Sequence, residues 1–425
     1  MHFVPEAVPA EIPAQMARLV GITEWKPWGH RLAWLQEQIR ANPTMSRFIV
    51  ERFSLELAYD QLRRHYKQSG RYPWPPTTEE QLRLYSFLAM IVRCYHRLSP
   101  AGKTRMRGML VDALKSDYGL APLAFEMKIV AHLMMRGFDV VFHDMEEGGG
   151  FDYLATNEGV EIEVECKFVS GDIGRQIHLK KMHQLSTILL PEMAIALDQR
   201  CGGCLVRISI PGRLGANEKQ HYEICRLMSQ AITDQKSDAK LNEYKISISK
   251  FSFEDSPFSQ LPPDDVSLDH AVRFLSDEFG IENKNVLIQF RPKRGAILVV
   301  VESAKKDAIL KGIHHQLKDS ARNQLSGDRP GILCCELADM TEEQLLAFGN
   351  EQDEGTGFKF MVSDLIARRP QIHTVAFTTP GTVRLLKSTM GTTRRTTAQE
   401  TGPAYTFSNP DHEMANDPRY DVFKT

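Results

Sequence analysis

The sequence predicts a mixed α/β protein with a helical first third, and three observations predict it. Up to residue 118, apolar residues recur at helical spacing in segments divided by proline breaks. From Pro122 onward, helical and strand patterns alternate. Within that part, Val160, Ile162, Val164, Cys166 and Phe168 fall on one side of a period-2 strand, and Glu161, Glu163, Glu165 and Lys167 on the other.

Taken in order, a lead broken by Pro5, Pro9 and Pro13 precedes helices expected from Arg31 to Ala41, Met45 to Tyr66, Glu79 to Leu98 and Lys103 to Asp117. Thr77 with Glu80 fits a capping box opening the third. A helix from Leu123 to Arg136 follows, stopped by Gly137, and Glu126 sits inside its apolar stripe, where a carboxylate needs a partner or a metal. Strands are expected at 138–142, 151–155 and 160–168, then a helix from Arg175 to Gln199 broken at Pro191, and a buried strand at 205–210. Further on come a helix at 219–232, a strand at 244–253 and a Ser/Pro/Asp-rich linker near 255–265. A second α/β block then carries strands at 286–290, 296–301, 332–337 and 374–378 with a helix at 305–325. This gives four expected parts: a helical domain at 1–118, a central domain at 119–254, a C-terminal α/β region at 266–387, and a polar tail at 388–425 whose composition is compatible with disorder.

Composition narrows the class. With 425 residues, 42% hydrophobic and 25% charged, the chain can bury a sizeable core and resembles ordinary globular proteins. No apolar run approaches the ~18 residues of a membrane span, and the proline-broken start has no signal-peptide pattern, so a cytoplasmic protein without a membrane partner is expected. Seven cysteines, an odd number in a long chain, point to reduced thiols. The net charge of −2 is unevenly spread: residues 1–118 hold 17 Lys and Arg against 11 Asp and Glu. The basic third suits a polyanion.

The chemistry concentrates between Gly148 and Lys167. Asp152 follows three glycines, and thirteen residues separate it from Glu-Cys-Lys at 165–167. Two carboxylates on neighbouring strands suit a hard divalent cation, which binds through one or two carboxylates and keeps several waters. Asp152 and Glu165 are the candidate ligands, with the Cys166 backbone carbonyl beside them and Glu163 as a lesser contributor. Lys167 shares their face and can orient or deprotonate a water and offset charge on a phosphorane-like transition state. Mg²⁺ is the expected cofactor, with Mn²⁺ as a substitute, and the implied reaction is phosphodiester hydrolysis without a covalent intermediate.

The FDY…EVECK pattern resembles the PD-(D/E)xK nuclease superfamily, with its restriction-endonuclease-like fold. GFDVVFHD with its Glu-bearing helix is similar to the Mrr-like and Holliday-junction-resolvase-like members. The resemblance covers about a fifth of the chain, and Phe151 stands where the motif's name has proline. It implies an αβββαβ core over residues 122–210, Asp152 and Glu165 as metal ligands, Lys167 as the catalytic lysine and Glu126 as the acidic residue on the first helix. It also implies a Gln or Lys at the scissile phosphate from the following helix, where Gln176 and Lys180 lie one turn apart and Arg175 and Lys181 add positive charge. The expected activity is that of a nuclease, and of an endonuclease, with DNA favoured over RNA as partner. The alternatives are a non-catalytic nucleic-acid- or protein-binding scaffold that keeps the fold, or a nuclease activated only by a partner; a partner protein or a homo-oligomer is the further partner considered.

Other motifs are set aside. Cys201, Cys204, His221 and Cys225 have a spacing that could close a zinc site, but Cys204 precedes an apolar strand and Cys225 sits in a helical pattern, so zinc is not expected. No phosphate-binding loop, dinucleotide fingerprint or nucleophile elbow is present.

Overall fold

The acidic-faced strand forms as Val160–Val169 and sets the frame of the fold. The computed structural model describes every residue except 2, 4, 6, 43–44, 200–201, 216, 235–237, 242–243, 262–267, 282–284, 339–344, 346–356, 381–382, 388–395, 401–404 and 424–425. The chain divides into two compact units. One holds Met1–Trp34, Arg52–Ile173 and Ile309–Thr425, and the other Leu35–Glu51 and Gly174–Ala308.

In the first unit, helices α1 (Ile12–Thr23), α2 (Trp25–Ala41), α3 (Ser46–Arg52), α4 (Ser54–Ser69), α5 (Glu79–Arg97), α6 (Pro100–Ala113) and α7 (Ala121–Met135) follow one another, and α2 and α3 run past the unit's boundaries. α5 is apolar almost all round, with Leu84, Tyr85, Leu88, Ile91, Val92 and Cys94 buried, so it lies inside the helical layer against α1, α4, α6 and α7. Its cap sits one residue later than the sequence implies: Thr78 Oγ1 accepts from Gln81 N at 3.2 Å, and Gln81 Oε1 accepts from Thr77 N at 2.9 Å. Gln81, not Glu80, is the side chain that reaches back.

The sheet of this unit runs β1 (Asp139–Phe142), β2 (Tyr153–Asn157), β3 (Val160–Val169), β9 (Gly331–Leu337), β10 (Ile372–Thr378) and β13 (Tyr405–Ser408) in spatial order, while β11 (Val383–Lys387) and β12 (Thr396–Glu400) pair antiparallel in a two-stranded sheet of their own. The first three are antiparallel, β3 pairs β9 in parallel with Cys166 beside Cys334, and β13 closes the edge antiparallel to β10. Val160, Ile162, Val164 and Cys166 pack with α5 and α7 in one core. Leu333, Cys335, Val375 and Phe377 pack on the opposite face with α12 (Ile309–Asn323) and α13 (Phe358–Ala367) in another. β9 and β10 are buried at every position, as strands covered on both faces must be.

The second unit has its own sheet, in the order β5 (Asp238–Leu241), β6 (Tyr244–Phe251), β4 (Gly202–Ile210), β8 (Gly295–Ser303), β7 (Val286–Arg291). α9 (Leu179–Gln199) and α10 (Glu218–Asp234) pack on one face, and α11 (Leu268–Phe279) lies in the other core, which is rich in phenylalanine. α9 continues through Pro191 without the expected break, with Leu189 and Met193 on either side of it buried in the core.

The strand beyond the helix that follows β3 is not the partner of β3: residues 205–210 pair with β8 in the second sheet, and 331–337 take the place beside β3. Both segments are short apolar runs, and such runs carry no mark of which parallel neighbour they will find. The four consecutive parts therefore give way to two interleaved units, with 174–308 inserted between β3 and α12. The tail also contributes structure, because β13 pairs with β10 and Tyr420 and Val422 are buried in the first core.

Candidate active site

Three local devices bring Asp152 to β3. The glycines at 148, 149 and 150 have φ of 88°, 157° and 88°, and a Cβ on Gly150 would lie 3.3 Å from the His143 ring. The chain thus turns tightly over His143, whose ring stacks on Phe151 at 4.1 Å. His143 N donates to Asp152 O at 2.9 Å, which fixes the backbone where β2 begins. The short helix α8 (His143–Glu147) is in turn clamped to α6: the Glu146 carboxylate accepts from Ser99 N at 3.0 Å and from the Ser99 hydroxyl, while Ser99 Oγ caps α6 by accepting from Gly102 N.

The register pairing Tyr153 with Val164 places Asp152 opposite Glu165. Asp152 Oδ2 accepts from Cys166 N at 2.7 Å, and the Lys167 ammonium contacts Glu165 Oε1. Glu165 is fully buried, and its Oε2 has no hydrogen-bond partner among the described residues. On α7, Glu126 Oε2 accepts from the Tyr153 hydroxyl at 3.2 Å, so the carboxylate in the apolar stripe has found its partner. The buried Lys128–Glu336 ion pair, at 3.3 Å, ties α7 to β9 two residues further on.

The electrostatics follow from crowding acids in a buried place. Burial pushes Glu126 up to about 8, helped by the charge of Asp144 and opposed by the Tyr153 hydroxyl. Burial, with Glu165 and Glu126 adding repulsion, holds Asp152 well above the usual carboxylate range. Burial lifts Glu165 to about 6 against the pull of Lys167. Burial lowers Lys167, but attraction to Glu165 outweighs it and the amine ends above its ordinary value.

The structure thus brings together Glu126, Asp152, Glu165 and Lys167. It adds Asp144, whose carboxyl is raised by burial, and Tyr153. Asp144 closes the GFDVVFHD segment, just before the glycines, but it lies in a short polar stretch with no periodicity to mark it as part of the site. Tyr153 reads as an ordinary strand aromatic.

Other candidates are placed differently. Glu163 is fully buried but committed elsewhere, accepting from Ser326 N at 2.8 Å and from its hydroxyl, with Arg329 at 3.6 Å. It lies one strand repeat, roughly 6–7 Å, from Glu165, where the loop before β9 reaches it first. Arg175, Gln176, Lys180 and Lys181 belong to the second unit. Gln176 and Lys180 are not one turn apart on a helix, because a turn at 171–174, with Gly174 at φ 67°, delays α9 until Leu179. Gln176 N donates to Asp307 Oδ1 at 2.8 Å, and its amide to Lys306 O at 3.3 Å. Lys181 donates to Gln184 Oε1 at 3.2 Å. In the zinc spacing, Cys201 lies outside the described residues, His221 shares a hydrogen bond with Gly215 O at 3.0 Å, and the Cys225 thiol donates to Ile188 O at 3.6 Å.

Among the described residues no group of three or more His, Cys, Asp or Glu side chains is placed to hold a metal as it stands. The fit to a cation therefore rests on two carboxylates and on the unpartnered, buried Glu165 Oε2. No helix among the described residues is long and apolar enough to cross a membrane. Comparisons with models of known families, with characterised proteins and with solved structures find no match.

Proposed function

We propose that the chain is a metal-dependent nuclease that hydrolyses phosphodiester bonds, DNA being the favoured substrate, in the manner of the PD-(D/E)xK enzymes. The observation that carries the reading is the register placing Asp152 opposite Glu165, with Lys167 against Glu165. The order α7, β1, β2, β3, then α12 and β9, agrees with a restriction-endonuclease-like core interrupted by an insertion. Asp152 and Glu165 would hold Mg²⁺ or Mn²⁺, with the Cys166 carbonyl beside them. Such a cation acidifies a bound water and polarises the phosphate.

The chain's own groups have separable parts. The Cys166 N–H fixes one Asp152 oxygen and leaves the other available. Lys167 stays protonated near neutral pH, so it acts as a cation beside the developing phosphorane charge rather than as a base. Glu126, at about 8, is protonated for much of the time at neutral pH and can give a proton toward the site or take one from it.

The test is cleavage of supercoiled, linear and single-stranded DNA and of RNA with Mg²⁺ or Mn²⁺. Lys167→Ala is expected to lower the rate by at least ~10²-fold while leaving metal binding measurable by calorimetry. Undiminished cleavage by this variant would remove the reading. That no three-ligand group is placed to hold a metal among the described residues favours a second reading, a binding scaffold that keeps the fold. Such a protein would bind its nucleic acid without metal, and Asp152→Asn would leave both binding and metal-independence unchanged.

A further inference from the structure

Residues 25–36 and 61–78 contain no Asp or Glu, yet between them they carry Trp25, Lys26, His30, Arg63, Arg64, Tyr66, Lys67, Arg71 and Tyr72. The fold joins these two acid-free stretches. The Arg63 guanidinium of α4 lies over the Trp25 ring of α2, 4.8 Å from its centroid. Tyr66 and Lys67, three and four residues after Arg63, share its helix face. Tyr66 stacks on Tyr72 at 4.7 Å with the rings 17° apart.

The aromatic residues of this region fall into two kinds. Trp28 is fully buried, packs on Tyr59 and donates to Thr23 Oγ1 at 2.9 Å, so it serves the core. Trp25 and Tyr66 instead keep 43% and 42% of their surface exposed. Each is followed in sequence by a lysine, Lys26 after Trp25 and Lys67 after Tyr66. Asp60, buried, takes both Arg63 and Arg64, and Glu24 is drawn to Arg107. Lys26, Lys67 and Arg71 form no ion pair among the described residues.

We propose that this surface of α2 and α4 binds single-stranded nucleic acid. Bases stack on Trp25 and Tyr66, and Lys26, Lys67 and Arg71 meet the phosphates. Stacking platforms set beside positive charge are what an unpaired strand needs. A duplex hides its base faces and would use only the cations. An anionic membrane would ask for a continuous apolar face, and here the rings are separated by charged side chains. The proposal deepens the nuclease reading by naming a surface that would hold the substrate.

The experiment measures fluorescence anisotropy of labelled oligothymidylate and oligouridylate, of a duplex of the same length, and co-sedimentation with phosphatidylserine vesicles, all with EDTA present so that nothing is cut. The single strands are expected to bind more tightly than the duplex. Trp25→Ala and Tyr66→Ala should each weaken single-strand binding by about tenfold. Lys67→Gln with Arg71→Gln should reduce the slope of log affinity against log salt by about 1.4. These side chains are exposed, and unchanged melting temperatures would show the variants folded. The proposal is overturned if single strands do not bind at low salt, if the ring variants bind as the parent does, or if vesicles are bound and oligonucleotides are not. Binding in EDTA without cleavage in Mg²⁺ would sink the nuclease reading and leave this surface standing. Cleavage with unaltered ring variants would do the reverse.

Discussion

Glu56 is the side chain on which the start of α7 depends. It is buried on α4, and its Oε1 accepts from Leu120 N at 2.9 Å, one residue before the helix that bears Glu126. Gly119, at φ 58°, leaves the room, since a Cβ there would meet Glu56 Oε1 at 2.1 Å. Burial lifts Glu56 from 4.5 to about 7, with its backbone hydrogen bonds opposing the shift. Its folded pKa thus lies above the unfolded one. The stability linked to it is whole below about pH 4.5, falls as pH rises toward 7, and stays low above that. Glu56→Gln keeps an acceptor for Leu120 and carries no charge. Chemical unfolding at several pH values should show the wild type losing ground to this variant between pH 4.5 and 7, by at most about 3 kcal/mol. A difference that does not change with pH would refute the account.

At the scale of elements, α8 matters more than its five residues suggest. It is held by Glu146 at the N-terminus of α6 and by Arg105, which donates to Glu146 O at 3.0 Å, and it leads into the glycine turn that delivers Asp152. Glu146→Ala leaves Ser99 N without its acceptor. It should cost about 1–2 kcal/mol and speed amide exchange at 99–102 and 143–150, while β3 exchanges as before. Equal exchange in both regions would show that α8 is held by something else. Hardly any of this was legible in the sequence. The alternation of β3 and the stripe of α7 could be read directly, because each depends on local periodicity alone. A five-residue helix has too little periodicity to register, and its anchor lies 47 residues away. The same limit explains Glu163: alternation gives the face a carboxylate shares, while Ser326, which claims it, arrives from the far side of the insertion.

For the whole molecule, connectivity departs furthest from what the sequence implies. Each of the nine expected strands lies close to its expected position, but four others (238–241, 383–387, 396–400 and 405–408) have no counterpart, and the strands at 202–210 and 331–337 take the places expected for each other's sheets, with 372–378 following the latter. Pairing between parallel strands is fixed by long-range packing, which a single sequence does not display. The ends of the insertion meet, Ala308 N donating to Gly174 O at 2.8 Å. Neither core of the first unit draws on a residue between them. Replacing 175–307 by a short Gly/Ser linker should therefore leave the first unit folded, with cooperative thermal unfolding and retained near-ultraviolet dichroism. Loss of the cooperative transition would show that the insertion supports the sheet.

The same connectivity has a consequence during synthesis. β3 needs β9 as its parallel neighbour, and about 160 residues (170–330) separate them. At 5–20 residues per second, the open edge of β3 waits for roughly 10–30 s on the ribosome. Its fully buried partner strand is made late, whereas β3 itself alternates Glu161, Glu163, Glu165 and Lys167 along one face. Charge along one face of β3 thus also guards a nascent edge against pairing with the wrong chain until the right one emerges.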